Sequence, residues 1–267
     1  MNHSEDGITP GRPVGPLGRV WLVGAGPGDP ELVTLKAVRV LAQADVILLD
    51  DLANPALLAH AGPRARVIRV GKRGGCRSTP QAFITRLMVR EASRGRQVAR
   101  LKGGDPSVFG RAAEEIEACR RAGIPCEIVP GITSASAAAA ALGMPLTDRD
   151  HARGVAFVTG HAKPGGPDPD WAALAASGLT LVVYMGLSRA ESIADALMAA
   201  GRPPDLPVAI VERASLPGER VLPTTLAGLA QTLSAHSVTS PAVLVIGAAL
   251  EAALVAVAEP ARRAGRA

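Results

Sequence analysis

Aromatic residues make up only 2% of this 267-residue chain: three Phe, two Trp and one Tyr. A groove for single-stranded nucleic acid needs aromatic platforms on which bases stack, and this chain has almost none to offer. Cysteine is as scarce. Cys76, Cys119 and Cys126 are odd in number and form no C-x-x-C pair, which argues against a disulfide framework and a structural zinc site. The histidines (His3, His60, His151, His161 and His236) are scattered without metal-ligand spacing, so no metal is expected. Long apolar runs are also missing. Val46–Leu49 and Thr180–Tyr184 are of strand length, far short of the ~20 residues of a membrane span. No charged segment followed by an apolar one opens the chain. The expectation is a cytoplasmic protein with neither membrane nor nucleic acid among its partners.

What is present suits a globular enzyme. Hydrophobic residues are 48% and charged residues 20% of the chain, and the length allows one large domain or two small ones with real cores. The net charge is +5. Part of the excess is Arg262, Arg263 and Arg266 near the C-terminus. The rest is concentrated in Arg64, Arg66, Arg69, Lys72, Arg73 and Arg77. With stacking platforms so few, a small polyanionic substrate explains that second cluster better than nucleic acid does.

Strand and helix patterns alternate. Residues 1–18, with Pro10, Pro13 and Pro16, read as a disordered tail, and residues 251–267 as a second tail. Strands are expected at Val20–Val23, Val46–Leu49, Val67–Val70, Val98–Leu101 and Glu127–Val129, with helices at Glu31–Ala44, from Thr79 to about Arg94, and at Ala112–Arg121. An Ala-rich helix from near Thr133 to Gly143 leads into further strands at Val155–Val158, Leu181–Tyr184, Val208–Val211 and Val243–Ile246, with helices near 189–200 and 224–234. The pattern predicts two α/β domains with mostly parallel sheets, over 19–132 and 133–250.

Three glycine turns follow expected strands: Gly24-Ala-Gly-Pro-Gly-Asp-Pro30, Lys102-Gly-Gly-Asp-Pro106 and Pro130-Gly-Ile-Thr-Ser134. Such turns let backbone approach a ligand closely, and in open α/β sheets ligands lie at the carboxyl ends of strands, here expected in a cleft between the two domains. The first turn is not a dinucleotide fingerprint. Asp29 stands where the third glycine belongs, and Pro27 and Pro30 stiffen the loop.

Asp50 ends an apolar strand and could serve as a base, though a turn or capping aspartate occupies the same kind of position. Lys72, in Gly71-Lys-Arg-Gly-Gly75, could donate a proton or clamp an anion, or simply be exposed. Arg111 and Glu114 are three residues apart on a helix behind the second glycine turn, where an ordinary surface ion pair is the alternative. Arg149 lies in the crossover Thr147-Asp-Arg-Asp150.

With these residues in view the chain resembles the tetrapyrrole methylases, from about Val20 to Gly247. The carriers are Val23-Gly-Ala-Gly-Pro-Gly-Asp-Pro30, Gly71-Lys-Arg73, Arg100-Leu-Lys-Gly-Gly-Asp-Pro106, Phe109-Gly-Arg111, Val129-Pro-Gly-Ile-Thr-Ser-Ala135, Val158-Thr-Gly-His161 and Tyr184-Met-Gly186. The resemblance is strongest to members that methylate uroporphyrinogen III at C2 and C7. It implies a homodimer of two-domain subunits that uses S-adenosylmethionine and releases S-adenosylhomocysteine. It assigns the cofactor to Pro27, Gly103, Gly104, Asp105, Val108, Thr133, Ser134, Met185 and Ala214. Asp50 matches the family's proton acceptor and Lys72 its proton donor, while Arg111, a further catalytic candidate, falls with Glu114 and Arg149 on the substrate side. Leu49, Asp51, Cys76, Arg77, Asp148 and Ala214 depart from the residues common at their positions. Asp51 and Asp148 add negative charge beside an expected polyanion. A methylase of a later precorrin, and a non-catalytic protein that binds S-adenosylmethionine or a tetrapyrrole, are the competing readings.

Overall fold

The structure, a computed structural model, describes residues 16–71, 79–161 and 166–250. Lys72, Arg73, Cys76 and Arg77 lie outside the described residues, as do most of the expected N-terminal tail and all of the C-terminal one. The chain divides into two compact units. One comprises residues up to Ala25 together with Val33–Gly131; the other comprises Gly26–Leu32 and the chain from Ile132 onward.

In the first unit, β1 (Arg19–Gly24), β2 (Val46–Leu49), β3 (Arg66–Arg69), β4 (Gln97–Lys102) and β5 (Cys126–Val129) form a sheet in the order β3-β2-β4-β1-β5. Every pairing is parallel. The strand period of two splits the apolar residues between its faces. Trp21, Val23, Ile47, Leu49, Ala99 and Leu101 pack with Val40 and Leu41 of α1 (Leu35–Gln43). Val20, Leu22, Val46, Leu48 and Val98 pack with Ile84 and Met88 of α2 (Gln81–Ser93) and Cys119 of α3 (Ala112–Arg121). Full burial of side chains such as Leu22, Ile47 and Leu48 is worth about 1.5–3 kcal/mol each relative to exposure. The helix expected from Glu31 is two elements. Pro30–Leu32 is a single 3-10 turn, and α1 begins only after Thr34, whose hydroxyl caps it by accepting the Ala37 N–H at 3.2 Å.

The second unit contains α4 (Ser134–Leu142), β6 (Val155–Thr159), α5 (Trp171–Ala176), β7 (Thr180–Tyr184), α6 (Ala190–Ala199), β8 (Pro207–Glu212), β9 (Arg220–Thr225), α7 (Leu229–Ala235) and β10 (Ala242–Ile246). Its sheet runs β6-β7-β10-β8-β9. Only β6 and β7 are parallel; the other three pairings are antiparallel. Parallel pairing therefore dominates the chain as a whole but not this sheet. The reason is β9, a strand absent from the sequence expectation, which returns along β8 through a short hairpin. Pro223 within it obscures the strand signal, and proline is tolerated there because β9 is an edge.

The β8–β9 hairpin is tied at its loop end by Glu212, which is buried. Its carboxylate accepts the Thr239 N–H at 2.7 Å and hydroxyl at 2.9 Å and pairs with Arg220. The Arg220 hydrogen bond, opposed by burial and joined by Thr239, holds the Glu212 carboxyl down at about 2, against 4.5 ordinarily. A depressed carboxyl stabilises the fold above its unfolded value and loses that contribution as pH falls toward the folded one. Unfolding free energy is expected to drop by about 2 kcal/mol through this group between pH 4.5 and 2. Denaturant titrations across that range check it: Glu212→Gln is less stable at neutral pH and shows a shallower acid dependence.

Candidate active site

Three of the five parallel strands end in glycine turns, and the sheet order β4-β1-β5 places those ends side by side. A Cβ on Gly131 would lie 2.3 Å from the Gly104 carbonyl oxygen, and one on Gly24 would lie 2.6 Å from the Gly131 Cα and 2.8 Å from that same oxygen. Only hydrogen fits between these backbones. Asp105 fastens the cluster: Oδ2 accepts the Gly131 N–H at 2.9 Å and Oδ1 the Ser107 N–H at 2.7 Å, while its carbonyl accepts the Val108 N–H at 3.1 Å. The result is a rim of bare backbone, the kind of cradle that a Cβ would fill and that a nucleoside-type ligand can approach closely. Gly131→Ala is expected to push backbone against backbone, costing about 1–3 kcal/mol of stability and weakening S-adenosylhomocysteine binding at least about tenfold. Calorimetric titration and thermal unfolding of the variant check both.

Beside this rim, Asp50 leaves the end of β2 with its N–H on the Leu101 carbonyl at 3.1 Å. Its side chain is 31% exposed, and Arg100 Nη2 stands 3.6 Å from Oδ1. Arg100 and Lys102 are consecutive inward positions of β4, on the face covered by α2 and α3, and both are almost wholly buried. Buried cations need partners. Glu115 of α3, fully buried, supplies them: Oε1 accepts Arg100 Nε at 3.2 Å and Gln81 Nε2 at 2.9 Å, and Oε2 accepts Lys102 Nζ at 3.0 Å. Arg100 Nη1 also donates to the carbonyls of Leu48 at 3.4 Å and Leu101 at 3.3 Å. Burial, reinforced by the Arg100 charge, pushes the Lys102 ammonium down from its ordinary value against the opposing pull of Glu115. A chain of alternating charge thus runs from the buried Glu115 through Arg100 to the partly exposed Asp50.

Arg111 and Glu114 form the bidentate ion pair that their spacing allows, with both contacts at 2.8 Å and both side chains exposed. The Glu114 hydrogen bonds hold the Arg111 guanidinium above its ordinary value. Arg111 adopts a left-handed φ of 55° as it enters α3. Lys72 lies outside the described residues. The basic cluster that contained it divides: Arg69 is at the C-terminal end of β3, but Arg66 opens that strand and Arg64 precedes it, at the opposite ends of the strands from the glycine turns. Linear proximity cannot separate the two ends of a four-residue strand.

In the second unit, the turn containing Pro27 is held by the loop after β8. Asp29 N–H donates to Ser215 Oγ at 3.1 Å, Ser215 N–H donates to Glu219 at 2.6 Å, and Leu216 covers Gly28 so closely that a Cβ there would lie 2.5 Å from its side chain. Ala214 lies in the same loop. Tyr184 ends β7 with its hydroxyl 2.6 Å from Thr133 Oγ1 and accepting the Ala135 N–H at 3.0 Å. Thr133, Ser134 and Met185 are therefore joined through Tyr184, and Met185 is exposed at φ 55°. Arg149 is exposed on a turn built by Asp148, whose Oδ1 accepts the Asp150 and His151 N–H groups at 2.9 Å and meets His151 Nδ1 at 2.7 Å. The His151 hydrogen bond, with those of the backbone, holds the Asp148 carboxyl below its ordinary value. That departure from the family pattern thus has a local role as a turn former.

Glu115 and Tyr184 organise the site without having been singled out as site residues. The signal for Glu115 was a mismatch: two cations at inward positions of an apolar strand demand a buried acid nearby. Among the described residues no cluster of three His, Cys, Asp or Glu could hold a metal ion, and no helix is long and apolar enough to cross a membrane.

Comparison with known proteins bears directly on this arrangement. Residues 19–230 match the family Tetrapyrrole (Corrin/Porphyrin) Methylases. The uroporphyrinogen-III C-methyltransferase of Pseudomonas aeruginosa is 56% identical over 230 residues, 86% of this chain and 93% of that protein. Siroheme synthase 2 of Aeromonas hydrophila is 50% identical over 231 residues, and there the chain spans about half the relative's length, 49%. Among solved structures, the uroporphyrin-III C-methyl transferase of Thermus thermophilus complexed with S-adenyl homocysteine superposes with a TM-score of 0.76 at 45% identity, covering 88% of this chain and all of that one. A cobalt precorrin-4 methyltransferase superposes at 0.78 with 31% identity, covering 87% of this chain and 96% of that one. The glycine rim, the acid beside it and these likenesses agree: the chain belongs to the tetrapyrrole methylase family.

Proposed function

We propose that the protein transfers methyl groups from S-adenosylmethionine to C2 and C7 of uroporphyrinogen III, forming precorrin-2 by way of precorrin-1. The observation that carries this reading is the partly exposed Asp50 carboxylate held by Arg100 beside a rim of bare glycine backbone, in a chain 56% identical to a uroporphyrinogen-III C-methyltransferase. The product feeds cobalamin, sirohaem or haem d1 synthesis.

S-adenosylmethionine supplies an activated methyl group. The protein's part is to align an electron-rich pyrrole carbon with it, an orientation effect worth up to roughly 7–11 kcal/mol. The cofactor residues carried over by family membership are Gly103, Gly104, Asp105 and Val108 of the first unit and Pro27, Thr133, Ser134, Met185 and Ala214 of the second. Methylation leaves the ring system cationic, with a proton to lose. Asp50 accepts it, and Lys72 returns a proton where the macrocycle needs one. Arg100 keeps Asp50 aimed, and Glu115 acts one step further back as a positioning residue for Arg100. Arg111, Glu114 and Arg149 serve the substrate, whose carboxylates suit guanidinium forks.

The same reading includes a homodimer in the cytoplasm, the first of which light scattering on the purified protein measures. Anaerobic incubation with S-adenosylmethionine and uroporphyrinogen III, followed by product mass, tests the activity. A gain of two methyl groups supports it; no transfer by a folded protein that binds S-adenosylhomocysteine turns the assignment toward later precorrins.

A further inference from the structure

Two of the arginines that the sequence offered as substrate ligands, Arg64 and Arg66, belong to a different concentration of charge. Glu91, in the last turn of α2, is fully buried. Its Oε1 meets Arg66 Nη2 at 2.9 Å, Arg90 Nη2 at 3.1 Å and Arg94 Nη1 at 3.8 Å, and its Oε2 meets Arg96. Burial works against the charged form of Glu91, but the hydrogen bonds from Arg90 and Arg66 outweigh it and hold the carboxyl below its ordinary value. Glu91 is therefore an anion. One guanidinium would neutralise it, and four converge on it.

Arg64 adds a fifth cation. The acid that lines the pocket with these arginines among the described residues, Asp45, is already accepting the Gln97 N–H at 2.8 Å. Five arginines against two carboxylates leave three positive charges uncompensated. Arg64, Arg66 and Arg96, with Asp45, line an open cavity of about 380 Å³. Each arginine that touches Glu91 approaches it with a terminal nitrogen, and a guanidinium carries five N–H donors in a planar fork suited to oxyanions. Like charges gathered this closely repel, and an incoming anion relieves that repulsion. A brace between α2 and β3 accounts for Arg66 and Glu91. It does not account for Arg64, which makes no contact with Glu91.

The cavity opens where β2, β3 and β4 begin. The six residues of β4 separate it by roughly 17 Å from the glycine rim at that strand's other end. We propose that it is a second anion site, for a compact phosphoryl-bearing ligand with at least two negative charges. Its volume is at the small end of ligand pockets, about 300–1,000 Å³, which suits pyrophosphate or the phosphate end of a small ester.

Calorimetric titration of inorganic pyrophosphate into the full-length protein at low salt tests this, with citrate as a carboxylate comparison and S-adenosylhomocysteine as a check on the rest of the molecule. The expected result is saturable binding at one site per chain. It weakens at least tenfold in Arg64→Gln/Arg96→Gln and at least threefold in Arg64→Gln alone, falls as salt rises, and exceeds citrate binding by at least tenfold. S-adenosylhomocysteine binding stays within twofold throughout. Arg64→Gln leaves Glu91 its four partners, so it reports on the site even if the double variant fails to fold. Equal pyrophosphate affinity in wild type and Arg64→Gln, no saturable binding to wild type, or citrate binding as tightly as pyrophosphate each overturns the proposal. Because the readout is anion binding, it stands or falls separately from methyl transfer.

Discussion

Asp50→Asn is expected to slow methyl transfer roughly 10²–10⁴-fold, the range lost when a positioned general base is removed. The amide has the shape of the carboxylate and can still sit 3.6 Å from Arg100, but it cannot accept the proton that the methylated ring must release. Because the backbone of Asp50 is fixed on Leu101 and its side chain is partly exposed, the substitution should leave folding and S-adenosylhomocysteine affinity close to wild type. Single-turnover rates under anaerobic conditions, alongside a binding titration, make the test. Transfer within threefold of wild type would remove Asp50 as the base.

The second large effect is structural and begins at Glu115. Replacing it with Leu strands Arg100 and Lys102, whose side chains are 3% and 5% exposed, with Asp50 as their remaining nearby acid. Removing one partner from a buried ion cluster costs about 3–5 kcal/mol, a large share of the 5–15 kcal/mol that holds a typical domain together. Urea unfolding measures the loss. Glu115→Leu/Lys102→Met should recover part of it, because deleting the cation also deletes the uncompensated charge, and the two changes should couple by roughly 0.5–3 kcal/mol. Strict additivity would mean that the two side chains do not interact. The pH dependence has a definite sign. Burial lowers the Lys102 pKa in the folded state, so between that lowered value and the ordinary 10.5 the unfolded chain binds more protons. Stability therefore rises with pH through that window.

Much of the first unit can be read directly from residues. Val20–Val23, Val46–Leu49 and Val98–Leu101 are apolar runs of strand length punctuated by glycine, and the sheet places the three turns after β1, β4 and β5 as neighbours. What a linear reading could not supply was phase. Glu114 and Glu115 are adjacent and chemically alike, yet one turn of α3 sends Glu114 to solvent with Arg111 and Glu115 into the core with Arg100. Only the helix's orientation on the sheet decides between them, although Ala112 and Cys119, buried on the same face, mark the inward stripe once the helix is placed. Arg64 and Arg69 differ in the same way, being close in sequence and at opposite ends of β3. β9 was hidden for a separate reason: an edge strand with few buried positions and a proline carries little alternation.

The seven residues Gly26–Leu32 group with the later part of the chain although they follow β1 directly. The polypeptide consequently passes from one unit to the other three times, after Ala25, Leu32 and Gly131. No single cut yields both units whole: a fragment beginning at Ile132 keeps Ser215 and Leu216 but lacks Asp29 and Gly28, the groups they hold. Gene fusions between relatives face the same constraint. A crossover near residue 131 joins one parent's glycine turn to the other parent's receiving loop, and any parent without room over Gly28 for its leucine-like neighbour would give a chimaera that misfits there first.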